Sequence, residues 1–115
     1  MRTIVAGCRY GVSYSDVVSA IENCGWTPTV IISGGASGAD AHGEHYAVSH
    51  GIPFEVYPAN WKKYGLAAGP IRNAEMANVA EALIAIWDNE SGGTSNMISS
   101  AKKRGLKIHV KHITR

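Results

Sequence analysis

The chain has 115 residues, 45% apolar and 17% charged, with a net charge of +2. That length suits one domain with a real core, and the composition belongs to a globular protein, not to a disordered or fibrous one. The mild charge, with no long lysine and arginine run, argues against a generic nucleic-acid surface and leaves the partner open.

No apolar stretch approaches the roughly 20 residues that span a bilayer, and Met1-Arg2-Thr3 leads straight into strand-like sequence instead of a signal peptide. A complete, cytoplasmic chain without membrane contact is the expectation. Cys8 and Cys24 are isolated, without C-x-x-C or zinc spacing, so reduced thiols and no metal are expected.

Residues 3–7 (Thr3-Ile4-Val5-Ala6-Gly7) form a short β-branched apolar run and predict a buried first strand. After Cys8-Arg9-Tyr10-Gly11, Ser13 or Ser15 can cap a helix whose apolar face is Val17, Val18, Ala20 and Ile21, with Gly25 as its stop. Residues 29–33 predict a second strand. The turn Ser33-Gly34-Gly35-Ala36-Ser37-Gly38-Ala39-Asp40 then opens a helix over 39–50 that Gly51 ends. Residues 52–57 read as a third strand, and 58–70 as a long ordered loop with Trp61, Lys62, Lys63 and Tyr64. A helix over 71–80, a strand over 82–87, a helix over 93–104 and a strand over 107–111 complete the pattern. Strands alternating with helices imply an α/β fold: a parallel five-stranded sheet covered by helices on both faces, with ligand loops at the carboxyl ends of the strands.

Three glycines between a strand and a helix start read as a phosphate-binding loop, because glycine lets backbone approach an anion and helix-start N–H groups favour negative charge. A second such turn is Asp88-Asn89-Glu90-Ser91-Gly92-Gly93-Thr94. Arg9 and Arg72 supply charge-assisted contacts to phosphate oxygens, and Trp61 or Tyr64 offers a face for a base. The structural alternatives stay open. Asp40 reads equally as a helix-dipole residue or a ligand-hydroxyl contact, Trp61 as a loop anchor, and Trp87 as core. His42, His45 and His50 read as a solvated helix face, and Lys102, Lys103, Arg104, Lys107 and Lys111 as a basic end that also suits nucleic acid.

With these motifs on the page, the sequence resembles the SLOG superfamily, the Rossmann-like group that includes the LOG phosphoribohydrolases and the DNA-processing protein that loads recombinase. It is most similar to the small YspA/YpsA-like branch found in bacteria and phages. The resemblance rests on Gly7-Cys8-Arg9, the turn from Ser33 to Asp40, Pro58-Ala59-Asn60-Trp61, Ala68-Gly69-Pro70-Ile71-Arg72-Asn73 with Met76, and Gly93-Thr94. It implies a nucleotide pocket at Gly7, Arg9, Ser33, Gly34, Gly35, Ser37, Gly38, Asp40, Trp61, Arg72, Asn73, Asp88, Gly92, Gly93 and Thr94. It also implies a homo-oligomer. In the phosphoribohydrolases a glutamate lies three residues after the threonine of the second motif; here that position is Met97, so the arginine is matched and the carboxylate is not.

Three functions follow. The first is a sensor or sequestering protein for a nucleotide-derived ligand of the ADP-ribose, NAD-related or cyclic type, with no certain cofactor. The second is a phosphoribohydrolase-like hydrolase acting through Glu75, Asp88, Asp40 or Glu90. The third is a single-stranded nucleic-acid module built on Trp61 to Tyr64 and the basic end.

Overall fold

The computed structural model describes residues 1–114. Five strands alternate with helices: β1 (Arg2–Gly7), α1 (Tyr14–Glu22), β2 (Val30–Ser33), α2 (Ala39–Ser49), β3 (Phe54–Val56), α3 (Trp61–Tyr64), α4 (Ala68–Val79), β4 (Ala82–Trp87), α5 (Gly92–Lys103) and β5 (Lys107–His112). All neighbouring strands pair in parallel, in the order β3-β2-β1-β4-β5. The α/β sheet expected from the sequence is the one found.

Alternation along each strand divides the core in two. Val5, Ile31, Ile84 and Ile86 point to one face, where Val17, Ala20 and Ile21 of α1 and Ala39, Tyr46 and Ala47 of α2 cover them. Ile4, Ile32, Leu83 and Ala85 point to the other, under Met76 and Ala77 of α4 and Met97, Ile98 and Ala101 of α5. Burial on both faces explains why β1 and β4 read as continuous apolar runs. Ser13 caps α1 and forms a capping box: its hydroxyl accepts from the Asp16 amide at 3.1 Å, and the Asp16 carboxylate accepts from the Ser13 amide at 3.0 Å.

One expectation is corrected. Residues 58–70 are not a loop: Asn60 caps α3 through the Lys63 amide at 3.1 Å, a 3₁₀ turn spans Gly65–Ala67, and α4 begins at Ala68. Gly69 and Pro70 had marked a breaker. In the first turn of a helix the N–H that proline lacks has no helical acceptor anyway, so Pro70 is accommodated.

The sheet order reverses between β1 and β4. From β1 the chain steps outward to β2 and β3, then returns to add β4 and β5 on the other side. Helix-preceding loops therefore part above the ends of β1 and β4, which is where a doubly wound sheet opens a crevice.

Candidate functional site

A cavity of about 600 Å³ lies at that reversal. Its floor is Ala6 and Gly7 at the end of β1, and one wall is the turn from Asp88 through Thr94 into α5. The opposite wall is a single face of α4: Gly69, Arg72, Asn73 and Met76 fall at helical spacing and all line the space. Arg9, Ala36 and Asp40 close the third side, while Tyr10, Trp61 and Leu66 stand at the mouth with 71%, 50% and 94% of their surface exposed.

The α4 wall is locked to both glycine turns. The Arg72 guanidinium donates to the Gly34 carbonyl at 2.6 Å and, through Nε, to Asn73 Oδ1 at 3.1 Å. Asn73 Nδ2 donates in turn to Asn96 Oδ1 at 2.9 Å and to the Gly93 carbonyl at 3.3 Å. One helix thus ties the turn after β2 to the turn after β4. Asp88 shapes the second turn by accepting from the Glu90 and Ser91 amides at 3.0 and 2.8 Å. Trp87 anchors it, donating from its indole to the Ser91 carbonyl at 3.1 Å while packing against the α5 side of the core.

The turn after β2 is built differently from its sequence reading. Its amides are used within the turn: Gly34 and Ala36 donate to Asp40 Oδ2 at 3.0 and 3.3 Å, and Gly35 donates to Ser33 Oγ at 3.1 Å. Ser33 is fully buried and donates onward to Glu44 at 2.6 Å. Asp40, 5% exposed, is the organising residue of this turn. Burial raises its pKa from the ordinary carboxylate value, against the downward pull of the Ala36 amide, the Arg72 charge and the Gly34 amide. Gly34 has no room for a side chain, since a Cβ there would run into the Arg72 guanidinium and the Asp40 carboxylate. Gly38 takes φ of +73°, and a Cβ there would run into the Cys8 and Arg9 carbonyls.

Arg72 is held down in pKa, first by desolvation and also by the nearby positive charge of Arg9, while Asp40 pushes it up. The Arg9 side chain is exposed and makes no hydrogen bond or ion pair among the described residues, and its charge acts on Arg72 against that of Asp40.

Residues 17–64 match the family described as YspA, cpYpsA-related SLOG family. The Gene 61 protein of Mycobacterium phage D29 is 31% identical over 85 residues, an alignment covering 69% of this chain and 68% of the phage protein. The chain belongs to this SLOG family. Among solved structures, DNA processing protein A (DprA) from Streptococcus pneumoniae superposes with a TM-score of 0.73 over 95% of this SLOG chain at 19% identity. The chain spans 49% of that protein's length, and the likeness is one of fold.

Of the residues expected to contact ligand, Gly7, Arg9, Asp40, Trp61, Arg72, Asn73, Asp88, Gly92, Gly93 and Thr94 line the cavity. Gly34, Gly35 and Ser37 border a smaller space beside it. Ser33 and Gly38 line neither, being consumed in the turn's own packing. Glu75, a catalytic candidate from the sequence, lies off the Gly69–Arg72–Met76 face, is exposed and does not line the cavity. Glu90 does line it. Tyr10, Leu66 and Asn96 were missed. For Leu66 the signal was a large apolar residue just after Trp61 and Tyr64, ahead of the Ala68–Asn73 motif; for Asn96, an amide one helical turn from Gly92 and Gly93.

His45 on α2 and His50 just past its end are exposed, as a solvated face requires, and each stacks on a tyrosine. His45 stacks on Tyr14 at 4.3 Å and His50 on Tyr46 at 3.9 Å. Among the described residues no three His, Cys, Asp or Glu side chains gather as a metal set. Among the described residues no helix is long and apolar enough to cross a membrane.

Proposed function

We propose that this protein binds a nucleotide or nucleotide-derived small molecule in the cavity between β1 and β4, as a sensor or sequestering protein. The observation that carries the reading is Arg72: a guanidinium locked by Gly34 and Asn73, with a second arginine beside it, in the wall of a 600 Å³ space. A half-buried guanidinium with an exposed arginine near enough to act on it favours an anion. The first-turn amides of α5 across the cavity have no helical acceptor, and Ser91 does not cap them with its side chain. Phosphate suits this pair of walls. Trp61, Tyr10 and Leu66 at the mouth suit the flat apolar face of a base.

Binding without turnover is favoured over hydrolysis. Met97, where the phosphoribohydrolases carry glutamate, is 1% exposed in the α4–α5 core and has no proton to exchange. Asp40 and Asp88 already accept two backbone amides each. The nucleic-acid reading is weakened by topology. Lys102, Lys103 and Lys107 sit where α5 ends and β5 begins, at the opposite end of the sheet from Trp61 and Lys62.

The test is thermal stabilisation against mono- and polyphosphate nucleotides, NAD, ADP-ribose and cyclic nucleotides, with mass spectrometry of the recovered ligand. A ligand at a hundred times its dissociation constant stabilises the fold by about 2.7 kcal/mol. A shift with the ligand intact is expected. Altered ligand would establish hydrolysis, and no shift across the panel would overturn the nucleotide reading.

A further inference from the structure

Behind Arg9, Ala36, Trp61 and Arg72 lies a second cavity of about 220 Å³, for which these four residues form a common wall with the larger one. Its other walls are the turn from Gly34 to Ser37 and the Pro58-Ala59 step after β3. Among the described residues no carboxylate lines it, and Asp40 borders the larger space instead. Arg72 spends Nη1 on the Gly34 carbonyl and Nε on Asn73, and Nη2 has no hydrogen-bond partner among the described residues. The partition is therefore two guanidiniums with donors to spare, accessible from two sides. The larger side is bounded by the α5 helix start and apolar groups, the smaller by a turn whose Gly34, Gly35 and Ala36 amides are already taken.

We propose that the smaller cavity is a second anion subsite, recognised by the arginine side chains. The ligand class that fills both spaces is a nucleotide with a phosphate beyond the first, a nucleoside diphosphate or pyrophosphate-bridged compound. The base and first phosphate occupy the larger cavity, and the further phosphate crosses the Arg9–Arg72 partition. This rests on the nucleotide reading above.

Ala59 lines the smaller cavity and not the larger, so it separates the two. Calorimetric titration with AMP and with ADP is compared for the wild type, Ala59→Phe, which fills the space, and Ala59→Glu, which places a negative charge in it. A charge-assisted contact predicts that ADP binds the wild type about tenfold tighter than AMP. Both variants should bind AMP as the wild type does and bring ADP to within about twofold of AMP, the residual expected of unspecific charge. Equal AMP and ADP affinity in the wild type, an ADP preference that survives both variants, or AMP affinity that falls along with that of ADP in both would overturn the second subsite and leave the nucleotide reading standing. Binding of neither nucleotide by the wild type would overturn the second subsite as proposed, while the nucleotide reading falls only if the whole panel above fails to bind.

Discussion

The two glycine turns look alike in sequence and behave oppositely in the fold. Each follows a buried strand, contains paired glycines and hydroxyls, and opens a helix. After β2, Asp40 and Ser33 take up the amides of Gly34, Gly35 and Ala36, so these three are spent within the turn. After β4, the glycines at the start of α5 have nothing within 4 Å of where a side chain would stand, and no side chain caps the helix. A glycine-rich signature thus reports tight backbone, and only the neighbouring acceptors decide whether its N–H groups are offered to a ligand.

The contrast is most sharply broken at Asp40. Replacing it with alanine strands two amides in a buried turn and should lower stability by roughly 3 kcal/mol, read from urea denaturation. Next comes a matched pair of glycines. Gly34→Ala forces a methyl group against Arg72 and Asp40 and should cost about 2 kcal/mol, whereas Gly93→Ala should stay within about 0.5 kcal/mol of wild type or gain slightly from helix propensity. Similar losses at both positions would erase the distinction. Arg72→Ala should weaken binding of the best nucleotide in the panel by about 2 kcal/mol, near thirtyfold, by calorimetry. Trp61→Ala should weaken it by about 1 kcal/mol while leaving the unfolding midpoint nearly unchanged.

The smallest effect is in pH. Burial raises the Asp40 pKa above its ordinary 3.8, so the folded state holds that proton more tightly than the unfolded chain. The associated stability is complete below 3.8 and is lost as pH rises through the folded-state value. Wild type should therefore lose ground to Asp40→Asn, which cannot titrate, as pH is raised from 4. Urea midpoints of the two proteins that stay parallel from pH 4 to 7 would show that the amides and Arg72 outweigh burial.

The sheet was legible in the sequence because burial on both faces makes β1 and β4 unbroken apolar runs, and because Gly25, Gly51 and Gly105 punctuate the helices between them. The α4 face was partly legible, since Arg72, Asn73 and Met76 share one side at helical spacing. Its start was not: Gly69-Pro70 signals a break unless one knows that the preceding residues already turn. Glu75 falls off that side by the same spacing, and stands exposed. The role of Asp40 was invisible because it depends on the turn folding back over six residues, a tertiary fact with no local signature. Tyr10 and Leu66 have no periodic partners, and their value lies in standing exposed beside a cavity.

The two margins of the sheet are also unlike. β3 is three residues long, while β5 alternates Ile108 and Val110, packed on the α5 side, with Lys107, His109 and Lys111 on the other. A short margin offers few unpaired backbone groups, and a lysine-bearing one repels a copy of itself. Edge-to-edge growth into a continuous sheet is thereby discouraged at both ends. Resistance to fibrillar aggregation is accordingly secured at the periphery, independently of whatever occupies the centre.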